Sequence, residues 1–401
     1  MGSTKFEMSI PHLRARRNAK WTQYGDKVIP AWVAEMDFHI APPVQQAIEK
    51  IVNEEDYGYP RRNGLAAGTA VADAFVKRMR DQFGWQTDPD LVLPIADLVQ
   101  GTYAPLCAFS EPDDGIILQT PAYPPFYDAI KNTGRRLIKQ QLVDRDGRYQ
   151  LDLAELERLI DETTKIVVLC NPHNPTGRAF SKDDLIAVGN LAIKHDLIVV
   201  SDEIHADLVF DDNRHIPLAS LSPEIAAHTV TLNSATKSFN IPGLRCAVIH
   251  FGTADLRDRF YQVLPPKLLG APSIIGIDAT VSAWLEGQDW LDSTLKHLKS
   301  VRNHCTDRLQ REIPEIQFRV PEATYMMWLD CSELGLQTTA FDFFHNEAGL
   351  AFSPGETFED SCGQFIRFNF ATSMEIADEI LDRMVSAVRR NTDNRKGVSA
   401  S

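Results

Sequence analysis

The chain has 401 residues, and its hydrophobic content of 44% and charged content of 24% are ordinary for a globular protein of two or three domains. Its formal net charge of −14 argues against sequence-independent binding to nucleic acid, which needs a basic surface. The six cysteines form no CxxC pair, no apolar run is long enough to span a bilayer, and the N-terminus does not resemble a signal peptide. We therefore expect a cytoplasmic protein with reduced thiols, no metal site, and no nucleic-acid or membrane partner.

The N-terminal residues, 1–45, are predicted to form an arm or part of a smaller domain. A short strand-like run at 29–38 ends close to an acid, and a proline pair then opens a predicted helix at 44–53. The following helical pattern carries the charged run 77–80, which is predicted to be a solvated helix face.

Residues 46–285 are predicted to form the large domain. Apolar runs alternate there with helical patterns such as 183–194. The runs that we interpret as strands are 115–119, 165–170, 197–201, 229–232 and 246–251. Continuous apolar strands that alternate with helices predict a parallel sheet covered by helices on both faces, so the fold class is α/β.

Residues 286–390 are predicted to form a smaller α+β domain. A long helical region leads into strand-like segments at 318–320, 325–329, 350–352 and 365–370, and a terminal helix follows at 376–388. The polar tail 391–401 is predicted to be disordered.

Lys237 is the first candidate for chemistry. It follows the apolar run 229–232 directly and lies among small hydroxyl residues, including Ser234 and Thr236. These flanks indicate a buried strand that ends at donors for an anion. A lysine amine in such a site can be desolvated and can form a Schiff base with an aldehyde. Our hypothesis is that Lys237 carries pyridoxal 5′-phosphate (PLP).

Three candidate residues follow predicted strands at the edge where open α/β sheets bind ligands: Asn174, Asp202 and Lys237. A carboxylate such as Asp202 keeps a pyridine nitrogen protonated, so that the ring can accept electrons from a substrate carbanion. Asn174 suits the phenolic oxygen of the ring. Arg245, eight positions beyond the lysine, suits the phosphate together with the two hydroxyl residues before the lysine.

Two further stretches can contact such a cofactor. The strand-to-helix turn at 96–101 can place backbone N–H groups around a phosphate, with Leu98 and Val99 as the donors. Tyr123 lies just past the predicted strand 115–119, where its ring can stack on a planar cofactor.

Together these motifs resemble the fold-type I PLP-dependent enzymes of the class I/II aminotransferase superfamily. The matching motifs are Asn174-Pro175-Thr176-Gly177, Asp202 with His205 three residues on, and Ser234-x-x-Lys237 with Arg245 eight beyond. Within that superfamily the chain is most similar to the MalY/PatB branch of cystathionine β-lyase-like C–S lyases. The segments that carry this similarity are 32–38, 57–59, 170–177 and 202–207.

The resemblance implies a large domain with a mostly parallel seven-stranded sheet and a homodimer whose active sites lie at the subunit interface. It implies that Tyr123 stacks on the pyridoxal ring and that Tyr59 reaches the phosphate in the neighbouring subunit. His205 is assigned to the phenolic-oxygen side of the ring.

For the substrate, the resemblance implies that Arg367 binds the α-carboxylate, since the planar guanidinium offers two-point binding. Asp37 and Phe38 are assigned to the substrate side as well. Asp97 departs from the branch, which usually has a small residue there. An acid beside a phosphate is unfavourable unless it turns away or pairs with an arginine or a substrate amine, and it raises the prospect of a specialised substrate.

The function implied is a PLP-dependent carbon–sulfur β-lyase that acts on an L-cysteine conjugate or a cystathionine-like amino acid. An aminotransferase is the nearest alternative. A third is another PLP reaction on a biosynthetic cysteine conjugate, such as decarboxylation or oxidative deamination. A nicotinamide dehydrogenase is disfavoured because no GxGxxG motif follows a strand.

Overall fold

The computed structural model describes residues 7–62 and 64–399. In chain order the strands are β1 Ile29–Pro30, β2 Arg61–Arg62, β3 Leu65–Ala66, β4 Val92–Ile95, β5 Gly115–Thr120, β6 Arg136–Gln141, β7 Val143–Arg145, β8 Arg148–Gln150, β9 Thr164–Cys170, β10 Ile198–Asp202, β11 Thr229–Asn233, β12 Ala247–Phe251, β13 Gln317–Phe318, β14 Met326–Asp330, β15 Leu350–Ala351, β16 Ser353–Pro354 and β17 Phe365–Asn369.

The helices, again in chain order, are α1 Ile10–Ala15, α2 Ala19–Thr22, α3 Pro42–Asn53, α4 Gly68–Phe83, α5 Leu98–Phe109, α6 Pro124–Asn132, α7 Leu153–Leu159, α8 Lys182–Lys194, α9 Pro223–Ala226, α10 Ala235–Ser238, α11 Ala254–Val263, α12 Ile274–Glu286, α13 Gln288–Glu312, α14 Ala340–Ala348 and α15 Met374–Ser399. Local signals set several of their ends. The capping box of Ser181 and Asp184 starts α8, and Gly84 ends α4 in the left-handed region at φ +67°.

The described residues divide into two structural units. The larger consists of Ile40–Asn174 and Arg178–Ser293, and the smaller of the described parts of Met1–His39, Pro175–Gly177 and Thr294–Ser401. The predicted boundaries were at residues 45/46 and 285/286. The observed division at 293/294 falls inside the continuous helix α13, which is why no break in the sequence pattern marks it.

The larger unit contains a seven-stranded sheet in the order β4-β12-β11-β10-β9-β5-β6. Neighbours from β6 to β11 pair in parallel, whereas β12 is antiparallel to both β11 and β4. At the centre of the sheet, Val200 pairs with Val168 and with Val230. The predicted α/β class with a mostly parallel sheet is confirmed.

Both faces of this sheet are buried. Alternate residues of one strand belong to different core clusters: Ile166 and Val168 pack in one cluster, Val167 and Leu169 in the other. Side chains of a strand alternate between the two faces, so a strand covered on both must be apolar at every position. That requirement explains the continuous apolar runs of the sequence.

The smaller unit is built on a four-stranded antiparallel sheet, β13-β14-β17-β16. The N-terminal segment joins this unit because β1 pairs in parallel with β15, and Tyr325 donates to the carbonyl of Ala34 at 3.0 Å. Residues 175–177 belong to the same unit, since the backbone N–H groups of Glu322 and Ala323 both donate to the carbonyl of Gly177 at 2.9 Å.

The prediction of a disordered tail at 391–401 was wrong for the described part of that stretch, because α15 continues to Ser399. The amide of Asn391 and the guanidinium of Arg395 both donate to the carbonyl of Leu334, which ties the last turns of the helix to the unit. Residues 400–401 lie outside the described part of the chain.

None of the helices within the described ranges combines the length and the apolar character that crossing a membrane requires. Across those same ranges, no three His, Cys, Asp or Glu side chains come together as ligands for a metal ion.

Candidate active site

One edge of the seven-stranded sheet gathers most of the candidate residues. Asn174, Asp202 and Lys237 follow or end the parallel strands β9, β10 and β11. Arg245 precedes β12, and because β12 runs antiparallel its amino end lies at the same edge. Leu98, Val99 and Tyr123 follow β4 and β5 there as well. The topology therefore brings these predicted cofactor residues to a single edge.

Asp202 is the buried acid of this edge. It is 4% exposed, and the backbone N–H of Ile204 donates to its Oδ1 at 3.1 Å. Burial raises the pKa of Asp202 from 3.8 to about 7; the Ile204 hydrogen bond and the charge of Lys237 oppose this rise, and the charge of Glu203 adds to it. Ionising this acid is costly until a cation lies against it, so a protonated pyridine nitrogen is a fitting partner.

Glu203 holds the ends of β10 and β11 in place. Its carboxylate is 1% exposed and accepts hydrogen bonds from the hydroxyl of Ser201 at 2.8 Å and from the backbone N–H of Leu218 at 3.0 Å. The ring Nε2 of His215 lies 3.0 Å from the same carboxylate. Asn233 Nδ2 donates to the backbone carbonyl of Glu203 at 3.1 Å. Glu203 thus fixes the backbone next to Asp202.

Lys237 lies in the single turn α10, which Ser234 caps. The Oγ of Ser234 accepts from the backbone N–H of Thr236 at 3.1 Å and donates to the carbonyl of Cys246 at 2.6 Å. Ser234 and Thr236 are both buried, whereas Lys237 is half-buried, and its charge lowers the pKa of Asp202. The cap therefore fixes the turn that carries Lys237, and the charge of this lysine acts on the buried acid.

Arg78 supports the segment that carries the lysine. Its Nη2 and Nε donate to Oδ1 of Asp207 at 2.6 and 3.1 Å, and its guanidinium carbon lies 5.4 Å from the ring centroid of Phe239. The side chains of Arg78 and Asp207 are only 2% and 8% exposed. The prediction of a solvated face for residues 77–80 was therefore wrong at Arg78. The signal that could have predicted this burial is Asp207 in the segment 202–207, an acid that needs a cationic partner when it is buried.

Asp97 and Arg245 form an ion pair at the start of α5. Asp97 caps this helix by accepting from the backbone N–H of Val99 at 2.9 Å through Oδ1, and its Oδ2 lies 3.0 Å from Nη1 of Arg245. Arg245 has a positive φ of +50°. Of the arrangements expected for Asp97, pairing with an arginine is the one observed. The exposed side chain of Val99 and the half-buried side chain of Leu98 begin the same helix.

The remaining cofactor candidates of the larger unit are buried or half-buried. Asn174 is 5% and His205 is 2% exposed. Tyr123 is half-buried at the start of α6, with its ring edge-on to Phe126 at a centroid distance of 5.8 Å. Tyr59, by contrast, is 102% exposed in the single chain.

Arg367, Asp37 and Phe38 belong to the smaller unit. Nη2 of Arg367 donates to the carbonyl of Trp32 at 2.8 Å and to the hydroxyl of Ser353 at 3.0 Å, which orients the guanidinium. The fully buried carboxylate of Asp37 accepts from Lys20 Nζ and from Trp21 Nε1, both at 2.8 Å.

The ring of Phe38 is fully buried and edge-on to His297 at 5.0 Å. Asp37 and Phe38 therefore contribute to the packing of the smaller unit. Their assignment to substrate stays a prediction.

This set of donors fits a phosphorylated pyridine aldehyde such as PLP. Lys237 supplies an amine for the aldehyde, Asp202 a buried acid for the ring nitrogen, and Arg245 a cation for the phosphate. The hydroxyls of Ser234 and Thr236 lie 2.9 Å apart beside them. These groups can support proton transfer at a carbon atom of a substrate that is bound beside the ring.

The sequence model of the aminotransferase class I and II family matches residues 37–384. The cystathionine β-lyase PatB of Bacillus subtilis is 31% identical over 379 residues, which cover 93% of this chain and 97% of that protein. A cystathionine β-lyase of Corynebacterium glutamicum is 31% identical over 382 residues, 94% of this chain and 99% of that protein.

Among solved structures, cystalysin from Treponema denticola, which contains a PLP cofactor, is similar with a TM-score of 0.89 at 30% identity. That similarity covers 96% of this chain and 98% of the cystalysin chain. The resemblance predicted from the motifs is confirmed, and the chain belongs to the aminotransferase class I and II family.

Proposed function

We propose that the protein is a PLP-dependent carbon–sulfur β-lyase that cleaves an L-cysteine conjugate or a cystathionine-like amino acid. With water, the reaction yields a thiol, pyruvate and ammonia. The observation that carries the proposal is the half-buried Lys237 beside the buried acid Asp202 at the ligand-binding edge of the sheet. Relatives that match nearly the whole chain are cystathionine β-lyases, which supports a lyase outcome.

When bound, PLP supplies an electron-accepting ring that stabilises negative charge on the substrate α-carbon. Asp202 holds the positive charge at the ring nitrogen, because an ionised Asp202 needs a cation in its buried surroundings. Asn174 and His205 would hold the phenolic-oxygen side of the ring, and Tyr123 would stack on the ring. Arg245, the two hydroxyls before the lysine and the start of α5 hold the phosphate.

Lys237 moves the proton. With the substrate bound beside the cofactor, Lys237 would act as the general base that removes the α-proton. After removing the α-proton, the amine of Lys237 is an ammonium. It can give this proton to the departing thiolate, which leaves as a neutral thiol. We assign the α-carboxylate of the substrate to Arg367, because its planar guanidinium offers two-point binding.

The test is to incubate the purified PLP-loaded protein with L-cystathionine and with S-methyl-L-cysteine, and to assay thiol and pyruvate with and without 2-oxoglutarate. We expect thiol and pyruvate to form at equal rates when 2-oxoglutarate is absent. Lys237→Ala should abolish them and should lose the visible absorbance that PLP gains when it is bound to a lysine amine.

Other outcomes contradict the proposal. An amino-acid product that forms only when 2-oxoglutarate is present indicates an aminotransferase. Release of carbon dioxide in place of thiol indicates a decarboxylase. Turnover by Lys237→Ala at the wild-type rate removes the lysine from the mechanism.

The assembly and the location complete the proposal. The protein is a homodimer with active sites at the subunit interface, supported by the complete exposure of Tyr59 and the 60% exposure of Tyr57 in the single chain. A cytoplasmic location is supported by six free cysteines, which a reducing compartment maintains.

A further inference from the structure

The carboxylate of Asp97 already binds two of the groups that the proposed function assigns to the cofactor phosphate. Its Oδ1 accepts from the backbone N–H of Val99 at 2.9 Å, and its Oδ2 lies 3.0 Å from the guanidinium of Arg245. One anion thus bridges the amino end of α5 and the phosphate arginine. A phosphate bound by the same donors would bridge them in the same way.

The Asp97–Arg245 pair can be displaced, because water reaches both partners. The side chain of Asp97 is 28% exposed and that of Arg245 is 66% exposed. An ion pair this accessible contributes little to stability, since water and dissolved ions screen its two charges. The ion pair of Arg78 and Asp207 differs, because its side chains are only 2% and 8% exposed. Breaking a buried pair leaves a charge without a partner, so a ligand cannot readily displace either residue.

We propose that Asp97 competes with the cofactor phosphate for Arg245 and for the backbone N–H of Val99. This competition lowers the affinity of the protein for PLP. The inference rests on the proposed function. Binding of the phosphate breaks the two contacts of Asp97 and leaves its negative charge beside a dianion, which is unfavourable. Asp97 therefore makes the cofactor more readily exchanged than a neutral residue at this position would.

The experiment compares the cofactor-free wild type with Asp97→Asn. Asparagine still caps a helix, so the substitution removes the charge and keeps the start of α5. Titration with PLP, followed by its visible absorbance, should give a dissociation constant about fivefold lower for the variant, the equivalent of an exposed ion pair. Titration with pyridoxal, which lacks the phosphate, should give equal constants, and inorganic phosphate should bind more tightly to the variant by calorimetry.

Asp152 provides the matched control. It caps α7 by accepting from the backbone N–H of Glu155 at 3.0 Å, and it lies 3.7 Å from Arg145, with exposures of 29% and 61%. Asp152→Asn removes the same kind of charge away from the proposed phosphate groups, so its affinity for PLP should equal that of the wild type.

The outcomes separate this inference from the proposed function. Weaker binding of PLP by Asp97→Asn would show that Asp97 orients Arg245 for the phosphate, and would overturn the competition. Equal PLP affinities of wild type and variant would overturn it too, with the proposed function intact. A wild type that binds neither PLP nor pyridoxal would overturn both.

Discussion

Asp202 shows how burial sets the charge of one residue. The pKa of its carboxyl is about 7 in the folded chain, against 3.8 ordinarily. Between about pH 4 and pH 7 the folded protein holds a proton that the unfolded chain has lost. Folding takes up a proton in this window, so the contribution of Asp202 to stability is fully present below about pH 4 and is lost as the pH rises through 7.

We predict that Asp202→Asn removes this pH dependence from the cofactor-free protein. Relative to the variant, the wild type should lose on the order of 4 kcal/mol of stability between pH 4 and pH 8. Urea unfolding of both proteins across that range measures the difference. Curves that stay parallel would mean that Asp202 ionises normally in the folded state.

Helix α4 and the short turn α10 meet at the side chain of Arg78, which also forms an ion pair with Asp207. Arg78 lies on α4, and it contacts Phe239, the residue that ends α10 two positions after Lys237. Its Nη1 also lies 3.4 Å from the carbonyl of Trp284 on α12. Three elements thus meet at one buried guanidinium, which fixes the position of the turn that carries Lys237.

We predict that Arg78→Ala destabilises the protein by about 3–5 kcal/mol, because it leaves the carboxylate of Asp207 buried without its cation. Thermal or urea unfolding measures the loss. Arg80→Ala is the control from the same charged run: Arg80 is 49% exposed, so its removal should change stability by no more than about 0.5 kcal/mol. If the two substitutions lowered the free energy of unfolding equally, the buried ion pair of Arg78 would not stabilise the protein as predicted.

The whole molecule combines distant parts of the chain in each unit. The N-terminal segment packs in the smaller unit through the fully buried pair of Lys20 and Asp37, whose charged atoms lie 2.8 Å apart. In the larger unit Tyr59 is completely exposed beside the hairpin of β2 and β3. Large exposed rings of this kind are typical of surfaces that a second subunit covers.

We predict that Tyr59 serves the active site of a neighbouring subunit. Tyr59→Ala and Lys237→Ala should each impair activity when alone, and mixed dimers of the two should regain it, because one site then has both side chains. Activity after co-refolding measures this complementation. Tyr57→Ala, which alters an exposed ring of the same segment, should leave activity near the wild type. A monomer by light scattering would contradict the prediction.

Part of the fold and of the site was readable from local pattern. The apolar runs of β9, β10 and β11 predict strands buried on both faces, and the observed ends lie within one or two residues of the predicted ones. β6 was not predicted, because this edge strand has buried and exposed positions in alternation and is largely polar. Its position depends on pairing with β5, which no local pattern encodes.

By itself the sequence determined the class of the fold and the edge at which the candidate cofactor residues lie, since burial on both faces and the direction of parallel strands follow from residue type and order. Only the tertiary structure decided that Asp97 meets Arg245 and that Arg78 is buried against Asp207. It also decided between the two arrangements expected for the N-terminal segment, an arm or a part of the smaller unit. These pairings join residues far apart in the chain. They arise from the order of strands in the sheet and from helix packing, so a charged side chain shows its partner only once the chain is folded.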